Sequence, residues 1–226
     1  TSKLSREHAV ASPVPGLTVI AGGKYTTYRV MAKDAVDSAV HAMERNVPKS
    51  CTESVPLVGA NGYRGAWNSR HLIAAQSGLR VSRIEHLLGR YGTLTSELLD
   101  LIAAQPELGE PLTDAPEYLK VEACYAASHE GAQHLDDVLT RRTRISIEVP
   151  DRGVGASREV AALIAPILGW GEAEIENELQ HYEARVAAER DSQHQPDDLT
   201  ADAARLGAPD VRFAAAGAEA SHDDVG

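Results

Sequence analysis

The sequence predicts a mainly α protein: a helical domain preceded by a short strand–turn–helix piece. Three observations carry that prediction. An apolar run, Leu17-Thr18-Val19-Ile20, enters a double glycine at Gly22-Gly23, and a helical pattern starts directly after it. Between about residues 65 and 190 short helical patterns follow one another, punctuated by Gly and Pro. In the last of them Ile175, Leu179, Tyr182 and Val186 fall at i, i+4, i+7 and i+11, the stripe of an amphipathic helix.

Taken in order, residues 1–10 are mixed and extended in character. Pro13, Pro15 and Gly16 then mark a loop before the strand at 17–20. The helix predicted over 27–45 has Ala32, Val36, Ala39 and Met43 on one face and Arg29, Lys33, Asp37 and His41 on the other. Pro48 stops it. Residues 48–64, with Pro56, Gly59, Asn61 and Gly62, read as a linker between a first segment, 1–47, and a helical domain, 65–190.

In that domain one helix holds Leu72, Ile73 and Ala75 and ends near Gly78. Ser82-Arg83-Ile84-Glu85 has the pattern of a capping box, opening a helix that runs through Leu87, Leu88 and Tyr91 to Gly92. Another spans about 96–104, before Pro106. Asp114 is expected to cap a longer helix with Pro116 in its first turn, and Leu119, Ala123 and Ala126 on one face. After Gly131 a short helix holds Leu135, Val138 and Leu139, and the alternation over 145–149 suggests an extended piece. Residues 157–170 are helical, but Pro166 predicts a kink near Leu163 or a break. From Asp191 the period is lost. Eight Asp or Glu stand there against two Arg among many alanines, which predicts a solvated, disordered acidic tail over 191–226.

A chain of 226 residues has room for one or two domains with a core. The 43% apolar and 24% charged content is that of an ordinary globular protein, and with aromatics at 4% the core must be largely aliphatic. A net charge of −11 argues against nucleic acid or an anionic membrane surface as partner of this segment. Cys51 and Cys124 give neither a disulfide framework nor a metal-ligand spacing, and suit free thiols in a reducing cytoplasm. No run approaches the roughly 20 apolar residues of a membrane span. The chain opens with no signal-peptide pattern and no Met, as a fragment or a processed chain would.

The chemistry concentrates in Gly22-Gly23-Lys24-Tyr25-Thr26-Thr27. Glycines allow backbone angles closed to other residues and a close approach of ligand to main chain. Thr26 and Thr27 stand where a helix start leaves unpaired N–H groups. Those groups, the helix dipole and Lys24 together suit a negative charge, while turn chemistry by itself favours a tight turn with a solvated lysine, since Gly-Gly turns before helices are common. Gly153-Val154-Gly155-Ala156-Ser157-Arg158 imitates a dinucleotide fingerprint but has Arg158 in place of the third glycine, so it reads as a helix-opening turn. His129-Glu130 lacks the second His of a zinc motif, since Gln133 stands there, and no metal is expected. Asp136, Asp137, Arg141, Arg142 and Arg144 read as a structural ion-pair network, with Asp137–Arg141 and Glu130–His134 at i,i+4.

Two blocks also carry a resemblance. Residues 22–37, Gly-Gly-Lys-Tyr-Thr-Thr-Tyr-Arg-Val-Met-Ala-Lys-Asp-Ala-Val-Asp, resemble the last strand-and-helix unit of the FAD-dependent, quinone-linked glycerol-3-phosphate dehydrogenases. Val121-Glu122-Ala123-Cys124-Tyr125-Ala126, His129-Glu130 and the run from Leu135 to Arg144 are similar to the signature of that family's C-terminal helical domain. The likeness extends from Leu4 to about Arg190, in the family's order.

The resemblance implies the C-terminal part of such an enzyme, with 1–47 as the end of an FAD-binding α/β domain and 65–190 as an accessory helical domain. It implies that Arg6 and Lys24 hold the phosphate of glycerol 3-phosphate, and that Gly22, Gly23, Lys24, Thr26 and Thr27 face the flavin. The cofactor is FAD and the electron acceptor a quinone. The full-length enzyme is then cytoplasmic and peripheral at the inner face of the membrane, with a homodimer allowed. The pyrophosphate-binding Gly-x-Gly-x-x-Gly and the proton-abstracting residues are not in this chain, so no catalytic residue is assigned and the chain alone is expected to be inactive. The rival reading is a stand-alone helical module that binds protein, since 65–190 needs no flavin to fold.

Overall fold

The computed structural model describes residues 7–41, 43 and 46–208. The chain divides into two compact units. The first takes residues up to 69 together with 87–93; the second takes 70–86 and the residues from 94 onward.

In the first unit β1 (His8–Val14) and β2 (Leu17–Gly22) form an antiparallel hairpin, with His8 opposite Gly22 and Val10 opposite Ile20. The loop expected around Pro13 is thus the end of a strand. Pro13 falls in the irregular register between Ala11 and Val14, the kind of place where a strand tolerates a missing N–H. A 3-10 turn, Tyr25–Thr27, leads into α1 (Tyr28–His41), which packs on both strands.

The less exposed positions of α1 are Arg29, Met31, Asp34, Ala35, Ser38 and Val40, whereas Ala32, Val36 and Ala39 are exposed and Met43 is half-exposed. The apolar face read from the sequence is therefore not the one turned to the hairpin. The helix rotation is set by polar and close contacts instead: His8 Nε2 lies 2.8 Å from Asp34 Oδ2, and the Met31 side chain covers Gly23. No residue of β1, β2 or α1 is buried. Beyond them, α2 (Tyr63–Asn68) follows a run of turns.

The second unit holds α3 (Arg70–Ser77), the first turns of α4 (Val81–Tyr91), α5 (Thr95–Ala104) and α6 (Lys120–Ser128). A π-helix, Asp137–Arg142, and α7 (Ile145–Glu148) lead to α8 (Val154–Leu168), α9 (Glu172–Ser192) and α10 (Asp198–Leu206). At the centre is α6, buried on every side from Val121 to Ala127. It is packed by α5, α8 and the π-helix, and even the charged Glu122 on it is buried. Leu135, Leu139, Ile145, Val160, Ile164, Leu179 and Tyr182 complete one aliphatic core.

Several local expectations give way to long-range contacts. Asp114 and Pro116 do not open α6. Residues 110–120 form a closed loop, with Leu112 N donating to Tyr118 O and Lys120 N to Glu110 O, both at 2.9 Å. Burial of Leu112, Ala115 and Tyr118, and Arg83 donating to the Pro116 and Glu117 carbonyls, outweigh the local start signal. The Ser82–Glu85 capping box does not form either, because Glu85 pairs with Arg70 at 2.7 Å and the helix starts from the Arg80 carbonyl. Residues 145–148 coil into a turn of helix with Ile145 and Ser146 buried rather than alternating. Pro166 does not break α8: it lies in the last turn, and the helix ends at Gly169 with φ 73°. Its place near the end limits the hydrogen bonds a proline can remove.

Order also continues past Asp191, where a disordered tail was expected. The carboxylate of Asp197 accepts from Thr200 N at 2.9 Å and caps α10, which packs on α9. Residues 209–226 of the expected tail lie outside the described residues. The turn at Gly153 opens α8 as read, its N–H and that of Gly155 held by the Asp151 carboxylate at 2.8 and 2.6 Å. Asp137–Arg141 pairs at 3.2 Å, but His134 pairs with Glu178 at 2.8 Å rather than with Glu130.

Candidate functional site

The turn from β2 into α1 is built by backbone geometry first. Gly22 and Gly23 have φ of 82° and 83°, a region that L residues with a Cβ rarely enter. A Cβ on Gly22 would stand 2.7 Å from the Glu7 carbonyl oxygen, and one on Gly23 would stand 2.4 Å from Met31 Sδ. Two glycines are therefore required by the fold itself. Lys24 is extended, with φ −136° and ψ 153°, and the 3-10 turn follows.

Thr27 closes that turn on itself. Its hydroxyl donates to Lys24 O at 3.0 Å and accepts from Lys24 N at 3.3 Å, so an orphan amide at the helix start is satisfied locally. Thr26 is exposed and its hydroxyl makes no hydrogen bond among the described residues, and the Lys24 side chain is exposed with no ion pair there. No acidic residue stands in the 3-10 turn or in the first turn of α1. The structure thus brings Gly22, Gly23, Lys24, Thr26 and Thr27 into one cationic helix start, which suits an oxyanion or the electron-rich edge of a flat conjugated ring. Arg6 lies outside the described residues.

Two features of this region escape a sequence reading. One is the His8–Asp34 pair, which joins residues 26 positions apart. The other is Arg29, which the helical period puts on a solvent face and which instead donates to the Thr52 carbonyl. A cation in a helix's first turn, against the dipole, is the one local signal that it has another task. A cleft of about 570 Å³ in the same unit is lined by Leu57, Val58, Gly59, Tyr63, Arg64 and Tyr91, none of them a residue of this turn. Among the described residues no group of three His, Cys, Asp or Glu side chains is placed to hold a metal ion. No helix there is long and apolar enough to cross a membrane.

Comparison with known proteins agrees with this architecture. The C-terminal domain of alpha-glycerophosphate oxidase matches over residues 50–175. Glycerol-3-phosphate dehydrogenase 2 of Mycobacterium tuberculosis (strain ATCC 25618 / H37Rv) is 57% identical over 212 residues, which cover 94% of this chain and 36% of that protein. Glycerol-3-phosphate dehydrogenase of Mycobacterium leprae (strain TN) is 55% identical over the same shares. The X-ray structure of the glycerol-3-phosphate dehydrogenase from Bacillus halodurans, complexed with FAD, superposes with a TM-score of 0.66 at 22% identity, covering 79% of this chain and 36% of that one. The chain spans about a third of the length of these relatives. The resemblance read from the two sequence blocks holds, and the chain belongs to the family of the C-terminal domain of alpha-glycerophosphate oxidase.

Proposed function

We propose that this chain is the C-terminal segment of an FAD-dependent glycerol-3-phosphate dehydrogenase, which oxidises sn-glycerol 3-phosphate to dihydroxyacetone phosphate and passes the electrons to a quinone. One observation supports it above the others. The β1–β2–α1 piece buries none of its residues, so it has no core of its own, yet it carries an exposed, carboxylate-free cationic helix start between β2 and α1. Such a piece is completed by a larger domain.

FAD, when bound, supplies the acceptor for the hydride from C2 of the substrate. The chain's own residues bind and orient. Gly22 and Gly23 let the main chain turn sharply, and the helix start with Thr26 and Thr27 favours negative charge on the flavin edge. Lys24, with Arg6, holds the substrate phosphate. The helical unit is an accessory domain, and the full-length enzyme works as a cytoplasmic, peripheral protein at the inner face of the membrane, with room for a homodimer. A second reading, a stand-alone helical interaction module, draws support from the complete core of the second unit.

The test is Lys24→Ala in the full-length, flavin-loaded enzyme. Loss of a charge-assisted bond to phosphate should lower kcat/KM for glycerol 3-phosphate roughly 10- to 100-fold. The loss should be smaller for glycerol, which carries no phosphate. Equal losses for both would place Lys24 on the flavin or the reacting hydroxyl. No effect on either would leave it a solvated turn residue and overturn the site.

A further inference from the structure

Arg29 takes no part in the site as read above, and its surroundings call for an explanation. It is the second residue of α1, where a cation opposes the helix dipole. Among the described residues no carboxylate pairs with it. Its guanidinium instead donates through Nη1 to the main-chain carbonyl of Thr52, and its Cζ lies 5.9 Å from the centroid of the Tyr28 ring. The acceptor belongs to a turn that is closed on itself. Ser54 N and Oγ both donate to Cys51 O, at 3.0 and 2.9 Å, and Val55 N donates to Thr52 O at 3.4 Å. Ser50 Oγ and Thr52 Oγ1 lie 3.1 Å apart. Arg29 therefore ties to α1 a compact turn 23 residues further along the chain. A charged donor on a neutral carbonyl makes one of the stronger protein hydrogen bonds, and a cation near an aromatic ring adds a weaker attraction.

We infer that Arg29 is a positioning residue of the proposed site: it clamps the turn 50–55 onto the first turn of α1 and so fixes the helix start that carries Lys24 and Thr26. The inference rests on the reading of that helix start as an anion site. The segment 50–55, read from sequence as part of a linker, is then a brace for the site rather than a loose tether. Lysine could replace the charge but not the planar, multi-donor guanidinium that reaches the Thr52 carbonyl.

Two measurements test it. In the full-length enzyme Arg29→Ala should speed hydrogen exchange at the Ser54 and Val55 amides roughly 10-fold, with exchange across α6 and α8 unchanged. Arg29→Lys should recover part of that protection. Unchanged exchange at both amides in Arg29→Ala overturns the clamp. In the full-length, flavin-loaded enzyme Arg29→Ala should lower kcat/KM on the order of 10-fold, and equally for glycerol 3-phosphate and glycerol, because misplacement affects both. A loss confined to glycerol 3-phosphate would make Arg29 a phosphate ligand and overturn the positioning role. Failure of the dehydrogenase reading shows separately, as absence of turnover in the unsubstituted enzyme, and leaves the exchange result standing.

Discussion

Nε2 of His86 lies 3.0 Å from both carboxylate oxygens of Glu122, a side chain with no exposed surface at the heart of the helical unit. The same carboxylate accepts from Leu119 N at 2.9 Å. Glu122 is thus both the cap of α6 and the polar link from α6 to α4, and the His86 ring stands edge-on to Tyr118, 5.4 Å between centroids. Burying a carboxylate is unfavourable unless such partners surround it.

Removing that carboxylate should therefore be far worse than neutralising it. Glu122→Ala orphans a buried amide and a histidine nitrogen, and should cost about 3–5 kcal/mol. Glu122→Gln keeps an acceptor for Leu119 N and should cost about 1–2 kcal/mol. Urea midpoints of both variants check the order. A double-mutant cycle with His86→Ala should return a coupling of at least about 0.5 kcal/mol; simple additivity would show that the pair contributes nothing.

Gly92 is a close-packing position as well as a positive-φ one. Its φ is 59°, and a Cβ there would stand 2.2 Å from Gly59 O, which also accepts from Thr93 N at 2.9 Å. Gly78 has φ 74° and open space around it. Gly78→Ala should cost only the left-handed strain, about 1–2 kcal/mol. Gly92→Ala should cost about 3 kcal/mol or more, and should speed exchange of the Thr93 amide. Thermal unfolding of the pair decides; equal costs would mean that the Gly59–Gly92 contact yields easily.

Tyr182 makes the unit sensitive to alkali. Burial pushes its phenol from 10.0 up to about 12, against the opposing pull of Arg185, and its hydroxyl donates to the Arg152 carbonyl at 2.5 Å. A folded-state value above the unfolded one means that the unfolded chain loses its proton first. The contribution is therefore complete below pH 10 and is lost as pH rises from there toward 12. Two pH units correspond to about 2–3 kcal/mol. Tyr125, raised by burial and by the Glu97 carboxylate it donates to, acts in the same direction. Tyr182→Phe should be less stable than the parent near neutrality by about 1 kcal/mol. That gap should narrow above pH 10. Urea midpoints between pH 8 and pH 11.5 (about the range accessible before backbone damage) give the answer; a constant gap would refute the assignment.

What the sequence determined is what depends on neighbours within a helical turn or two. An apolar run into Gly22-Gly23 had to be a strand entering a sharp turn, and the stripe through Ile175, Leu179, Tyr182 and Val186 had to be a helix, because period and backbone freedom are local properties. The cationic helix start at Lys24 was legible for the same reason. The tertiary structure decided what depends on distant partners. Arg83 and the burial of Tyr118 moved the start of α6 past Asp114 to Lys120. His8, pairing with Asp34, turned α1 so that its sequence-apolar face looks outward. Arg29 found its acceptor 23 residues away in Thr52, and His86 found Glu122 across 36. A cap or a period is worth about 1 kcal/mol and is written where it acts. Burial of whole side chains is worth more and is written only in the packed chain.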